Sequence, residues 1–157
     1  MYLVAQVLIM KNFVLFDSAF CFIYIGFILM LPLEAGAIFM LIAAFFLGLG
    51  VDIFYDSLGV NAASTVFLAF LRPYWLRVLT PRGGYEDVVA PNINSMDFGW
   101  FLAYALPLIF IHQFTLFFLE AGSFRLFVFT LVKVLASTAL TFFVFLLAQY
   151  LFYRKTV

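Results

Sequence analysis

The sequence predicts an all-α, polytopic transmembrane bundle of about six helices, or five if the first apolar run does not cross. Three observations point there. Hydrophobic residues fill 68% of the 157 positions and charged residues only 10%, too little polar surface to cover a globule in water, so lipid must be the solvent. The 24 phenylalanines suit lipid-facing positions, where a bulky apolar side chain needs no specific partner. Apolar runs also alternate with short polar turns along the chain. The length fits a single integral-membrane domain, 1–157, at roughly 100–200 residues per domain. A formal net charge of zero, with no basic stripe, offers nucleic acid no footprint. Cys21 has no second cysteine to pair with, and its apolar setting indicates an inert buried thiol. Cys/His spacings of the metal-binding kind are absent from the sequence, so neither metal nor cofactor is expected.

The first apolar run, Met1 to Met10, is too short to span alone, since crossing takes about 20 residues. Continuing through Lys11 and Asn12 to Phe16 lengthens it, with Lys11 snorkelling to an interface. It lacks the basic start and small-residue cleavage site of a signal peptide, and is read as retained. Asp17 or Ser18 offers an N-cap for a second helix, Ala19 to Leu31, which Pro32 ends or kinks. After PLEAG a third helix runs from about Ala35 to Val51. DIFYDSLG turns the chain, and Ser57 or Asn61 caps a fourth helix from about Val60 toward Leu79. Pro73 is expected to bend that helix onto the membrane surface, anchored by Tyr74, Trp75 and Arg77. Residues 80–96, with two prolines and Gly83-Gly84, form the one long polar loop. A fifth helix starts near Asp97, capped by Asn94 or Ser95, and ends near Leu119. Ser123 caps a sixth that reaches about Tyr153; at roughly 30 residues and about 45 Å, it has to tilt or project.

Charge sets the expected orientation. Arg72, Arg77 and Arg82 flank the long loop, and Arg154 and Lys155 close the chain. The positive-inside rule makes that side cytoplasmic, with both termini there if six helices cross. Arg72, Arg77 and Arg82 are then candidates for a cytoplasmic interface. On the other side Asp52 is the residue of most interest, an ionisable group at the end of an apolar run. Ala44, Gly48 and Asp52 fall at i, i+4 and i+8, a small-residue face that lets another helix approach and cover the carboxylate. Asn61, His112 and Lys133 are placed at similar depth by helix length, so Asp52, Asn61, His112 and Lys133 form a candidate intramembrane polar cluster. An ion pair of Lys133 with Asp52 or Asp56 would offset the cost of burying the lysine. The simplest role for the cluster is a structural clasp; the other is a ligand pocket opening outward. His112 has no nucleophile, phosphate loop or paired acid at catalytic spacing, so no enzymatic role is expected.

The stretch FLGLGVDIFYDSLGVNAASTVFLAFLRP resembles the rod shape-determining protein MreD family of bacterial inner-membrane proteins. In that family a Gly-rich helix ends in Asp and is followed by a short turn, a Gly and a small-residue helix start. The matching positions here are Gly48, Asp52, Gly59, and Ala62 with Ala63. Where many members carry a basic residue or His near the start of the next helix, this chain has Asn61. The resemblance implies a non-catalytic inner-membrane subunit of the cell-elongation (rod) complex, acting in cell shape and lateral peptidoglycan synthesis. The partners it implies are an MreC-like membrane-anchored protein, MreB, RodA and a transpeptidase, within the lipid bilayer. Ala44, Gly48, Asp52 and Gly59 are then candidates for structural or partner contact. The architecture is also similar to the substrate-binding membrane subunits of vitamin transporters, which would need a small-molecule site in the outer half of the bundle.

Overall fold

A computed structural model of the chain describes residues 14–15, 19–85, 90–123 and 125–152. Five helices lie among them: α1 (Ile25–Leu29), α2 (Ala37–Tyr55), α3 (Val60–Val78), α4 (Phe98–Ala121) and α5 (Phe127–Phe152). Two-residue strands β1 (Val14–Leu15) and β2 (Ala19–Phe20) pair antiparallel, Val14 with Phe20 and Leu15 with Ala19. Helices α2, α4 and α5 are long and apolar enough to cross a membrane. At 19 residues α3 equals α2 in length, but Asn61, Ser64, Thr65 and Arg72 lower its hydropathy. All four are buried. The polar face of α3 is turned into the protein, where hydrogen bonds can satisfy it.

The long helices pack as sequence neighbours, α2 on α3, α3 on α4 and α4 on α5, while β2 lies against α5. The expected helix Ala19–Leu31 is not formed as such. Only Ile25–Leu29 is helical, and the chain reaches it from β2 in a non-helical conformation. Every residue from Cys21 to Leu31 is nevertheless buried except Phe27, at 39% exposure. The segment is threaded through the interior, which explains the correction. A lipid-facing backbone must satisfy itself within a helix, but a backbone enclosed by protein can bond to its neighbours. Here the Phe22 N–H donates to Thr141 Oγ1 of α5 (3.2 Å), and the Leu29 carbonyl accepts from Tyr104 Oη of α4 (2.8 Å). Six helices are therefore not found among the described residues. The first expected helix lies outside them apart from Val14–Leu15, which are strand.

Helix ends also differ in detail. The third expected helix runs four residues past Val51, so Asp52 occupies its last turn. Asp97 is itself the N-cap of α4, its carboxylate accepting from Gly99 N (3.1 Å); its short side chain and extended backbone (φ −66°, ψ 151°) are what that role needs. α3 continues past Pro73 to Val78 and stays on the bundle. Leu76 is buried, and Trp75 Nε1 donates to Ala103 O of α4 (3.0 Å). The expected departure onto the membrane surface is thus not seen, because the last turn has better partners in α4. The loop side adds to this: Trp100 Nε1 donates to Leu79 O, and Tyr85 Oη and Thr80 Oγ1 both donate to Leu76 O. These bonds satisfy carbonyls that a helix end leaves open.

Candidate functional site

At the turn between α2 and α3, geometry begins with glycine. Gly59 sits at φ +82°, a left-handed conformation that favours glycine. It occupies the N-cap of α3 and has no side chain to cap with. Asp52 supplies the missing group from one element earlier. Its Oδ1 accepts from Asn61 N (3.0 Å) and its Oδ2 from Ala62 N (2.9 Å), the two N–H groups an N-cap side chain would serve. A carboxylate there also meets the positive end of the α3 dipole. Ser57 Oγ (2.6 Å) and Asn61 Nδ2 (3.1 Å) donate to Oδ1 as well, and the Asp52 carbonyl accepts from Ser57 N. Asp56 closes α2 at φ 53°.

This bond set requires α3 to start against the last turns of α2, and Gly48 makes the space. A Cβ at Gly48 would stand 2.5 Å from Ala62 Cα and 2.8 Å from Asn61 O, closer than packed atoms tolerate. Ala44, Gly48 and Asp52 do share one buried face. The helix that covers the carboxylate is the chain's own α3.

One turn deeper lies a polar cluster that the sequence only partly disclosed. Tyr24, on the central segment and 0% exposed, brings its hydroxyl within hydrogen-bond distance of Asn61 Oδ1 (3.1 Å), Thr65 Oγ1 (3.2 Å) and His112 Nε2 (3.0 Å). Proton counting orders these bonds. Asn61 Nδ2 is committed to Asp52 and Ser57, so its Oδ1 faces Tyr24 as an acceptor. Thr65 spends its proton on Asn61 O (2.6 Å), so toward Tyr24 it also accepts. Tyr24 has one proton for two acceptors, and His112 must therefore donate through Nε2–H. His112 Nδ1 is left as a buried lone pair without a hydrogen bond. Tyr24 had no signal in the sequence beyond a phenol inside an apolar run.

The expected ion pairs do not form. Both oxygens of Asp52 are held by donors from Ser57, Asn61 and Ala62, which removes the need for a cation. Lys133 instead places Nζ 5.1 Å from the Phe129 ring centroid, a cation–π distance. It shares with Asp56 the lining of a cavity of about 560 Å³, together with Asn61, Leu116, Glu120 and Phe22. Of the expected cluster, Asp52, Asn61 and His112 are linked through Tyr24, while Lys133 joins Asn61 only across this cavity. Gln113 Nε2 donates to Thr141 Oγ1 (3.1 Å), tying α4 to α5.

At the opposite end, Arg72 corrects another expectation. It is 1% exposed and so presents no surface to a cytoplasmic protein partner, unlike Arg77 and Arg82, which are exposed. Its Nε donates to Tyr104 Oη (2.7 Å), Nη1 to Met40 Sδ (3.2 Å), and Nη2 to the Leu29 and Leu31 carbonyls. It therefore ties α2, α3, α4 and the central segment together. Nearby, burial raises the Tyr85 phenol above its ordinary pKa, so it keeps the proton it donates to Leu76 O. Among the described residues no group of three or more His, Cys, Asp or Glu is placed to hold a metal ion. Comparison with family models, with curated proteins and with solved structures finds no match to this chain.

Proposed function

We propose that the chain is a non-catalytic inner-membrane subunit of a bacterial cell-elongation complex, scaffolding an MreC-like protein and, through it, MreB, RodA and a transpeptidase. One observation supports this reading above others. Gly48, Asp52, Gly59 and Ala62, the residues on which the resemblance to the MreD family rests, meet at a single point. Gly48 gives room for Ala62, Gly59 makes the turn, and Asp52 caps the helix that follows. A motif whose members depend on one another physically is stronger support than four matched letters. The cationic loop end is cytoplasmic in this reading. Assembly falls to the outer apolar faces, such as Ile38, Ile42, Phe45, Phe46 and Ile53 of α2, all exposed. Co-purification from mild detergent, with mass spectrometry of everything retained, tests it. Stoichiometric recovery of an MreC-like protein is expected; its absence at native expression would overturn the proposal.

A second reading has its own observation. The 560 Å³ cavity lies in the size range of small-molecule pockets, and its lining combines Asp56, Glu120 and Lys133 with apolar walls. This favours the substrate-binding subunit of a vitamin-type transporter. The same purification distinguishes it, by recovery of an ATPase module with a retained small molecule.

A further inference from the structure

Among the described residues, Arg72 is a charge without a counter-charge. Its four hydrogen bonds go to a phenol, a thioether and two carbonyls, all neutral, and one of its five N–H groups is uncommitted. Burying a cation among neutral acceptors is costly, and an ionisable group inside a membrane protein is a candidate functional site. Arg72 and Met40 also border a cavity of about 290 Å³, and Arg77 lines the same space. The remaining walls include Leu33, Pro73 and Leu76, and none of the described lining residues is acidic.

From this we infer that the cavity between the start of α2 and the end of α3 binds the phosphate head group of an anionic phospholipid. Arg72 and Arg77 both line this space; Arg77 can offer paired N–H donors to a phosphate, as a lysine ammonium could not, and Arg72 adds its charge and its one remaining N–H. At about 290 Å³ the cavity lies at the small end of ligand pockets, room for a head group without its acyl chains. The apolar walls and the exposed Tyr74 and Val78 beside them leave the acyl chains in lipid. A zwitterionic lipid presents the same phosphate, but its ammonium would meet two cations, and none of the described lining residues is acidic. Net negative charge is therefore the expected preference of the site. The inference stands on Arg72, Arg77 and the cavity they line and does not depend on the cell-elongation reading.

Native mass spectrometry of the full-length protein tests it, with phosphatidylglycerol and phosphatidylcholine added in equal amounts. Wild type is expected to retain phosphatidylglycerol preferentially. Arg77→Ala, at an exposed position where folding is not at stake, is expected to lower that retention about tenfold, the loss of one charge-assisted contact. Arg82→Ala is the control, since Arg82 is exposed and does not line the cavity. Equal retention of the two lipids, or equal loss in both variants, would overturn the inference in favour of general surface charge. Displacement of the lipid by millimolar inorganic phosphate would overturn its lipid part and leave a free-anion site.

Discussion

Asp52 shows how much one side chain can organise in this protein. Its carboxylate caps a helix whose own cap position has to be glycine, and it receives four hydrogen bonds while 4% exposed. Asp52→Ala leaves Asn61 N and Ala62 N without acceptors, and a loss of about 2–3 kcal/mol is expected from cap and unsatisfied-donor costs. Asp52→Asn, which keeps one acceptor oxygen, is expected to lose less. Asp56→Ala, at an exposed position, is expected to cost under about 1 kcal/mol. Reversible unfolding in mixed micelles ranks the three, and an Asp56 effect as large as that of Asp52 would contradict the capping role. Gly48→Ala is the complementary case. The added methyl meets backbone, which cannot rotate away, so destabilisation of about 1–3 kcal/mol is expected in the same assay.

At the scale of elements, the decisive piece is the buried segment from Cys21 to Leu31. Its side chains and backbone bond to α3, α4 and α5 through Tyr24, Phe22, Leu29 and Leu31, and Gln149 of α5 reaches Met30 Sδ (2.9 Å). Tyr24→Phe removes the hydroxyl shared by Asn61, Thr65 and His112, so a loss of about 1–3 kcal/mol is expected with little change in shape. Hydrogen–deuterium exchange should find the Phe22 amide nearly as protected as those of α4, although Phe22 lies outside any helix. Rapid exchange there would mean that the segment is a loose insert instead of part of the core. The composition of this run is that of a membrane helix, because its hydropathy is the same whether lipid or protein surrounds it.

At the scale of the molecule, many of the described polar side chains are buried beside the apolar core while many large apolar ones face outward, an arrangement that suits lipid as solvent. Phenylalanines 39, 45, 46, 67, 70, 129 and 143 are exposed, while Asp52, Arg72, His112, Gln113 and Gln149 are buried. Cys21, the one cysteine and buried, makes this order measurable. In mild detergent a maleimide should label it slowly, and in denaturing detergent rapidly. Fast labelling of the folded protein would contradict the enclosed central segment.

Much of this is legible in the sequence. The class, a helical membrane protein, follows from composition, because a chain so poor in polar residues has no other way to be solvated. The face of Ala44, Gly48 and Asp52 follows from helical spacing, and the need for Gly59 follows from its place in a turn. The partners of the polar residues were not legible. Whether Asp52 meets Lys133 or a helix end, whether Arg72 faces the cytoplasm or the core, and whether residues 19–31 cross as a helix or thread between helices all depend on which groups are brought within about 3 Å of one another. Helix periodicity places a side chain on a face. Only the packing of one element on the next decides what that face meets.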